Sequence, residues 1–205
     1  MAENMRGLLD LDALEQAIID DSIDTVIVAF TDHYGRLHGK RFDAAFFLED
    51  TVASGTHGCD YLLTVDMEMN PVDGYRFANW ELGYGDFHLV PDLTTLRLAS
   101  WLEGTAIVLC DVHADSDHTL VPVAPRSILR HQLARLGALG FTAKGASELE
   151  YFMYEESYRE AADLGFHGLS SIAWYSEDYH LLQGGREEFY NRAVRRHLRD
   201  SGIPV

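Results

Sequence analysis

The segment Thr25–Thr31 constrains the fold of this chain more than any other, because each of its seven residues is β-branched or apolar. The polar, glycine-containing stretch 32–36 follows it directly, and residues 37–42 continue with a second strand-like pattern. This order predicts a buried strand that turns back through a hairpin loop.

Short helix and strand signals alternate around this hairpin. Apolar residues at helical spacing predict a helix over residues 9–21, and Asp43 is a candidate cap for a second helix over residues 44–53. Four further strands are predicted, over residues 61–65, 86–90, 95–99 and 105–112. The first half of the chain therefore has the pattern of an α+β fold.

The pattern changes after about residue 115. Pro125 suits the first turn of a helix that ends at Gly137 or Gly140. The prediction for the rest of the chain is a long strand, a loop-rich region and a final helix, over residues 141–155, 157–184 and 186–200.

Charge follows the same division. Residues 1–120 carry six basic and 22 acidic side chains, a net charge of −16, whereas residues 121–205 carry ten and 11, a net charge of −1. The shift indicates a boundary near Leu120. The total of −17 opposes binding to nucleic acid or to an anionic bilayer, so we expect neither partner.

The apolar runs and the cysteines of the sequence give expectations about its location and its covalent links. The sequence has no apolar run of about 18 residues and no basic leader followed by an apolar stretch. We therefore expect no membrane span, no secretory signal and a cytoplasmic protein. Cys59 and Cys110 are far apart in sequence and lie in no CxxC pattern, so neither a disulfide framework nor a zinc knuckle is predicted.

The segment Gly145–Tyr154 is the strongest candidate for chemistry. In a strand, Glu148 and Glu150 would project from the same face about 7 Å apart, and both faces of the segment are apolar enough to be buried. Two crowded carboxylates need protons, basic side chains or a divalent cation. Oxygen ligands suit Mg²⁺ or Mn²⁺. The alternative is a salt-bridged pair, with partners among Arg186, Arg192, Arg195 and Arg196.

Two other sequence patterns are weaker candidates for a functional site. The acidic stretch 111–118 contains two histidines but lacks the glycine and the distal glutamate of a calcium loop, so it is interpreted as a polar turn. The ten histidines of the chain occur without partners at helical or hairpin spacing, and each is expected to be an isolated surface or packed residue.

Several segments in the same order resemble the N-terminal portion of class I glutamine synthetases. The matching segments, which cover nearly the whole chain, are 24–32 with Gly35 and 39–41, then 85–86 with 90–95, 106–111, 125–129, Glu148-Leu-Glu150-Tyr-Phe and the final helix to Val205. The resemblance implies a β-grasp-like N-terminal domain over residues 1–118 and the beginning of the α/β catalytic domain over residues 119–205.

The resemblance also implies a reaction. Family members use ATP to phosphorylate the γ-carboxylate of glutamate, and ammonia or an amine then displaces phosphate. Glu148 and Glu150 match the family's Glu-x-Glu, whose two members bind two different metal ions, Mg²⁺ or Mn²⁺. Family members form double-ring homo-oligomers and are longer than the 205 residues of this chain. The chain is therefore expected to hold half a site and to be inactive alone.

The acceptor is predicted from a short segment in which this chain differs from ammonia-using members of the family. Ammonia-using members carry Asp-Gly-Ser-Ser, whereas this chain has His57-Gly-Cys59-Asp60. The difference resembles the γ-glutamyl-amine synthetase branch, in which a roomier and less acidic pocket suits an organic amine such as ethanolamine or a polyamine. Asp60 is a second candidate for the carboxylate that contacts ammonium. Two alternatives stay open: an ammonia-using glutamine synthetase of nitrogen assimilation, and a catalytically silent structural or regulatory module.

Overall fold

The computed structural model describes residues 6–205, which divide into two compact units. The first unit contains residues up to Ala143 and also Arg199–Pro204, and the second contains Lys144–Leu198 together with Val205. The predicted N-terminal domain over residues 1–118 includes five residues outside the described range. Its boundary at residue 118 stays a prediction.

The first unit is built on one mixed sheet, which confirms the α+β class. Its strand order is β2-β1-β6-β4-β3, and β5 pairs with β6 beside this path. The strands β1 and β6 are parallel, and every other pair in the sheet is antiparallel. The strands are β1 (Thr25–Thr31), β2 (Leu37–Asp43), β3 (Thr56–Cys59), β4 (Asp86–Pro91), β5 (Arg97–Leu98) and β6 (Thr105–Ala114).

The core lies on the two parallel strands. Val26 and Val28 of β1 pair in register with Ala106 and Val108 of β6, and all four side chains are fully buried. These strands are central and need apolar side chains throughout, which explains why β1 is a continuous apolar run instead of an alternating one.

The helices of the first unit begin at residues that the sequence marks. The Asp10 side chain accepts a hydrogen bond from the Ala13 amide at the start of α1 (Leu11–Ile19). The Asp43 side chain does the same for the Phe46 amide, at the start of a helical segment with a π-helical middle. That segment consists of α2 (Ala44–Phe46), a π-turn (Phe47–Thr51) and α3 (Val52–Ser54). Both predicted helices and the Asp43 cap are confirmed.

The loop between β1 and β2 is organised by Asp32, whose side chain is only 2% exposed. Its carboxylate accepts hydrogen bonds from the backbone amides of Tyr34 and Arg36, from the Arg36 guanidinium at 2.7 Å and from His38 at 2.9 Å. Burial raises the pKa of this carboxyl, but these hydrogen bonds outweigh burial and bring the pKa from 3.8 to about 2. Gly35 supplies the positive φ of 77° that the turn requires.

Two arginines attach α4 (Pro125–Ala138) to the sheet. Arg126 forms ion pairs with Asp92 and Asp111, and Arg130 donates to the same two carboxylates at 3.0 and 2.8 Å. Asp111 is therefore occupied by guanidinium groups. Residues 111–114 belong to β6, so the interpretation of the stretch 111–118 as a polar turn is wrong for its first half and applies only to residues 115–117. Pro125 begins α4 as predicted, and Gly140 follows its end with a φ of 84°.

The strand predicted over residues 61–65 is wrong. Residues Asp60–Leu63 form a 3₁₀ turn, and β3 occupies the preceding residues instead. Leu63 is 1% exposed and Val65 is 5% exposed, so the apolar signal reflects burial that a turn achieves without a ladder.

The second unit contains short helices joined by irregular chain. Its helices are α5 (Tyr158–Asp163), α6 (Leu181–Gly184) and the part of α7 (Glu188–Asp200) up to residue 198. A capping box between Ser157 and Glu160 begins α5. The final helix is confirmed, and the predicted loop region contains α5 and α6. Among residues 6–205, no helix combines the length and the apolar character needed to cross a bilayer.

Replacement of Asp32 by asparagine should remove stability that depends on pH. A carboxyl whose pKa is lowered on folding stabilises the fold above its unfolded value of 3.8, and that contribution is lost as the pH falls through its folded value of about 2. We expect D32N to lower the free energy of unfolding by on the order of 1–2 kcal/mol at pH 7.

Urea unfolding at several pH values measures this effect. The difference between D32N and the parent protein should shrink as the pH falls from about 5 towards 2. D73N, at an exposed turn position, is the matched control. A difference that stays constant across this range would contradict the assignment to Asp32.

Candidate functional site

The two glutamates of the Glu-x-Glu segment line one cleft in the second unit. Glu148 and Glu150 are both exposed at its surface. Four more carboxylates line the same cleft: Glu177, Asp178, Glu187 and Glu188. Aromatic side chains form much of the remaining wall, including Tyr151, Tyr154, Trp174 and Tyr175. The cleft is therefore acidic, open and aromatic.

The strand predicted over residues 141–155 is wrong for the described chain. Residues 141–153 have no regular secondary structure, and pairing begins at an isolated bridge between Tyr154 and Ser171. The expectation that both faces are buried is wrong too, since Leu149 and Phe152 are 84% and 82% exposed. A strand needs a neighbour for its backbone groups, and within residues 6–205 none lies beside residues 141–152.

The far end of the segment is held by backbone contacts. The amide of Glu155 donates to the carbonyl of Ser170 at 2.9 Å, and the amide of Ile172 donates to the carbonyl of Met153 at 3.2 Å. Arg186 donates to the Ile172 carbonyl at 2.9 Å. The chain after Tyr151 is thus tied to residues 170–172.

The carboxylates of Glu177 and Glu187 lie close together in the wall of the cleft. Burial and the neighbouring Glu177, by charge and by a hydrogen bond, raise the pKa of the Glu187 carboxyl. The Oε1 atom of Glu177 is buried without a hydrogen-bond partner among the described residues. Two close carboxyl groups favour a shared proton or a bound cation.

The predicted metal site can be compared with the observed positions of Glu148 and Glu150. Carboxylate oxygens have the donor chemistry that Mg²⁺ and Mn²⁺ prefer, so Glu148 and Glu150 fit such an ion by type. Within residues 6–205, however, no three His, Cys, Asp or Glu side chains are grouped closely enough to hold a metal ion. The described residues therefore offer ligands of the right kind without a complete coordination shell.

Two of the four arginines proposed as alternative partners make other contacts. Arg186 lies over the Trp174 ring at 5.0 Å, and Arg195 forms an ion pair with Glu188. In the described part of the chain, no salt bridge joins Glu148 or Glu150 to a basic side chain. Both carboxylates therefore remain open to a cation.

The predicted acceptor residues lie in the first unit, on β3 and the turn that follows. His57 and Cys59 belong to β3, and Asp60 begins the 3₁₀ turn. Between His57 and Cys59, a Cβ atom on Gly58 would lie 2.8 Å from the Phe87 ring, so the glycine allows close packing of the strand.

The pKa values of Cys59 and Asp60 are both raised, which favours the neutral form of each side chain. Burial raises the pKa of the Cys59 thiol, and Asp86 raises it further by a hydrogen bond and by charge. Burial also raises the pKa of Asp60, partly offset by a hydrogen bond from the Gly85 amide at 3.1 Å. The Oδ1 atom of Asp60 is buried with no partner in residues 6–205, so this oxygen can accept a further hydrogen bond.

His57 belongs to a histidine cluster that sequence spacing did not predict. Its ring stacks on His88 at 4.9 Å, the His88 ring meets His118 edge-on at 5.6 Å, and His113 Nδ1 lies 2.7 Å from the His118 carbonyl. The register of β3, β4 and β6 places His57, His88 and His113 side by side, and His118 follows the turn after β6. The expectation that the histidines are scattered singly is wrong for these four, because neither strand register nor the turn after β6 is visible in sequence spacing.

Comparison with known protein sequences identifies the family of this chain. γ-Glutamylethanolamide synthetase GlnA4 of Streptomyces coelicolor is 44% identical over 197 residues, which cover 96% of this chain and 42% of that protein. Glutamate–isopropylamine ligase of a Pseudomonas species is 31% identical over 182 residues, which cover 89% of this chain and 39% of that protein. No family model matches the sequence.

A solved structure of GmaS without ligand shares the fold. The match has a TM-score of 0.53 and 18% sequence identity, and it covers 94% of this chain and 40% of that one. These relatives are, by name, ligases that join an amine to glutamate or proteins of the same fold. The chain belongs to the glutamine synthetase family and corresponds to the N-terminal part of its relatives. It spans about two fifths of their length.

The two cysteines should react slowly with alkylating reagents at neutral pH. Burial raises the pKa of Cys59 above 9.0 and that of Cys110 to about 12, so both are thiols and not thiolates at pH 7. Iodoacetamide labelling followed by mass spectrometry should show Cys59 labelling accelerating above pH 9 and Cys110 labelling only after unfolding. A Cys59 rate that already levels off below pH 8 would contradict the assignment.

Proposed function

We propose that the whole protein is an ATP-dependent glutamate–amine ligase whose acceptor is an organic amine. The observation that carries this proposal is the 44% identity, over almost the entire chain, to a γ-glutamylethanolamide synthetase. A second relative is named for another organic amine, isopropylamine. Ethanolamine, small alkylamines and polyamines are therefore the acceptor classes that the relationship supports.

The reaction proceeds in two steps. A γ-carboxylate oxygen of glutamate attacks the terminal phosphorus of ATP, the bond to ADP breaks, and an acyl phosphate forms. The amine nitrogen then attacks the acyl carbon, inorganic phosphate leaves, and the nitrogen loses a proton. Both steps concentrate negative charge, so the site must supply cations near the phosphates and the carboxylate.

In this proposal Glu148 and Glu150 each hold one divalent ion, Mg²⁺ or Mn²⁺. Such ions neutralise charge on the transferring phosphoryl group and orient it. The open position of both carboxylates and the absence of basic partners among the described residues support this role. The remaining ligands would lie in the part of the relatives' length that this chain does not span.

The domain assignment completes the proposal. We assign residues 1–118 to a β-grasp-like N-terminal domain and residues 119–205 to the beginning of the α/β catalytic domain. The mixed sheet of the first unit, with its parallel β1–β6 pair, supports the first assignment. We also propose a homo-oligomer of the double-ring type, by family resemblance.

The acceptor assignment uses the turn after β3. His57 and Cys59 replace residues that ammonia-using members carry as Asp and Ser, and the Cys59 thiol is neutral near pH 7 because its pKa is raised. Asp60 supplies a carboxyl with one buried unpaired oxygen, which suits it to accept from the amine. We assign the acceptor to an organic amine because the Asp and Ser that ammonia-using members carry are replaced here by His57 and Cys59.

Phosphate release by the whole protein with ATP and glutamate tests the acceptor class. The panel should contain ethanolamine, isopropylamine, putrescine and ammonia at matched concentrations. We expect at least one organic amine to give a kcat/KM at least tenfold above that of ammonia. Preference for ammonia would overturn the acceptor assignment, and no amine-dependent release with any member would overturn the ligase proposal.

Replacement of Glu150 by alanine tests the metal role. Loss of one metal-binding carboxylate should reduce kcat/KM by roughly a hundredfold or more, because several kcal/mol of charge stabilisation is removed. E155A is the matched control, since Glu155 is an exposed glutamate on the same segment. Equal activity of E150A and E155A would contradict the role proposed for Glu150.

A further inference from the structure

We propose that the rings of Tyr61, Trp80 and Tyr84 form an aromatic surface beside Asp60 that binds the carbon atoms of the organic amine. This inference rests on the proposed function, because it names the residues that recognise the acceptor of that reaction. All four residues belong to the first unit, and their mutual contacts lie within the described chain.

The three rings form a continuous row. The Tyr84 ring lies 6.0 Å from the Tyr61 ring and 5.4 Å from the Trp80 ring, measured between centroids, and both pairs meet edge-on. Edge-to-face packing at such distances is favourable, so each ring helps to hold the next in place. Within residues 6–205 the Trp80 side chain is 80% exposed and the two tyrosines are partly buried. Trp80 is therefore the member of the row that a ligand can reach most directly.

Hydrogen bonds fix this row beside Asp60. The Gly85 amide donates to the Oδ2 atom of Asp60 at 3.1 Å, and the Asp60 amide donates to the Gly85 carbonyl at 2.9 Å. Tyr61 follows Asp60 in the chain, and Tyr84 precedes Gly85. The two hydrogen bonds therefore bring both tyrosines and the Asp60 carboxyl group to one place.

The turn that carries Trp80 is ordered by its neighbour Asn79. The Asn79 side chain donates to the Tyr75 carbonyl at 2.8 Å and accepts from the Leu82 amide at 2.9 Å. The Gly83 amide donates to the Trp80 carbonyl at 3.3 Å. These contacts position the ring before a ligand binds, and a preformed surface loses less conformational freedom on binding.

The beginning of the same loop is attached to the turn between β1 and β2. Arg36, which pairs with the buried Asp32, also donates to the carbonyls of Asp66 and Met67 at 3.1 and 2.7 Å. Residues 66–85 are thus held near both ends, at Arg36 and at Asp60. The position of the aromatic row follows from contacts that residues 6–205 make among themselves.

A carboxyl group beside aromatic rings matches the chemistry of an organic amine. An oxygen of Asp60 can accept a hydrogen bond from the nitrogen, while the rings pack against the carbon atoms and attract a positive charge. Burial and, to a smaller extent, the charge of Asp86 raise the pKa of Asp60, so a cation is favoured beside it. Ammonia has no carbon atoms, so it gains nothing from the apolar area of the rings.

The selectivity of W80A in the whole protein tests this role. Phosphate release should be measured with isopropylamine and with methylamine, at saturating ATP and glutamate. We expect the ratio of kcat/KM for isopropylamine to that for methylamine to fall roughly fourfold to fifteenfold. Isopropylamine has two more carbon atoms, and each buried methylene-sized group contributes about fourfold to binding. W80F keeps an aromatic ring and should retain more of the parent ratio.

Control and partner variants separate amine recognition from general damage. W101A is the matched control, since Trp101 is an exposed tryptophan on another turn of the same unit, and it should leave the ratio unchanged. Y84L removes the central ring and should lower the ratio as W80A does, whereas Y84F keeps the ring and should preserve it. A defect of folding would lower the melting temperature and reduce kcat/KM for both amines together, without changing their ratio.

The outcomes distinguish this inference from the function on which it rests. If the parent protein uses organic amines and both W80A and Y84L keep its ratio, the aromatic surface is overturned and the proposed function stands. An equal loss of kcat/KM for the two amines would overturn it as well. If the parent releases no phosphate in response to any amine, the proposed function fails first and the inference falls with it.

Discussion

Strand β6 is the element on which the first unit depends, because three other strands take their backbone partners from it. It pairs in parallel with β1 and antiparallel with β4 and β5, and its first four residues are buried. Buried N–H and C=O groups must find partners, so this strand fixes the positions of its neighbours. The guanidinium groups of Arg126 and Arg130 then tie α4 to Asp111 on the same strand.

The same requirement explains the exposed state of the Glu-x-Glu segment. Residues 144–152 have no neighbour within residues 6–205 that could pair with their backbone, and the chain spans about two fifths of its relatives' length. Glu148 and Glu150 are consequently exposed in the described part of the chain.

Local signals were sufficient to predict much of the first unit. Asp10 and Asp43 begin helices as predicted, and the run Thr25–Thr31 forms a central strand. Signals that depend on distant partners were not sufficient. The apolar stretch after Asp60 is buried in a turn, and the four clustered histidines meet through strand register and the turn after β6. For the candidate site, spacing alone left metal ions and arginines as alternatives, and family resemblance favoured metal.

Anomalous diffraction from crystals of the whole protein grown with Mn²⁺, ADP and glutamate tests the central claim most directly. The account predicts that carboxylate oxygens of Glu148 and Glu150 lie within about 2.0–2.3 Å of two different manganese ions, close to the distances typical of hard cations. Manganese peaks remote from both carboxylates, with either glutamate paired instead to a guanidinium group, would contradict the account.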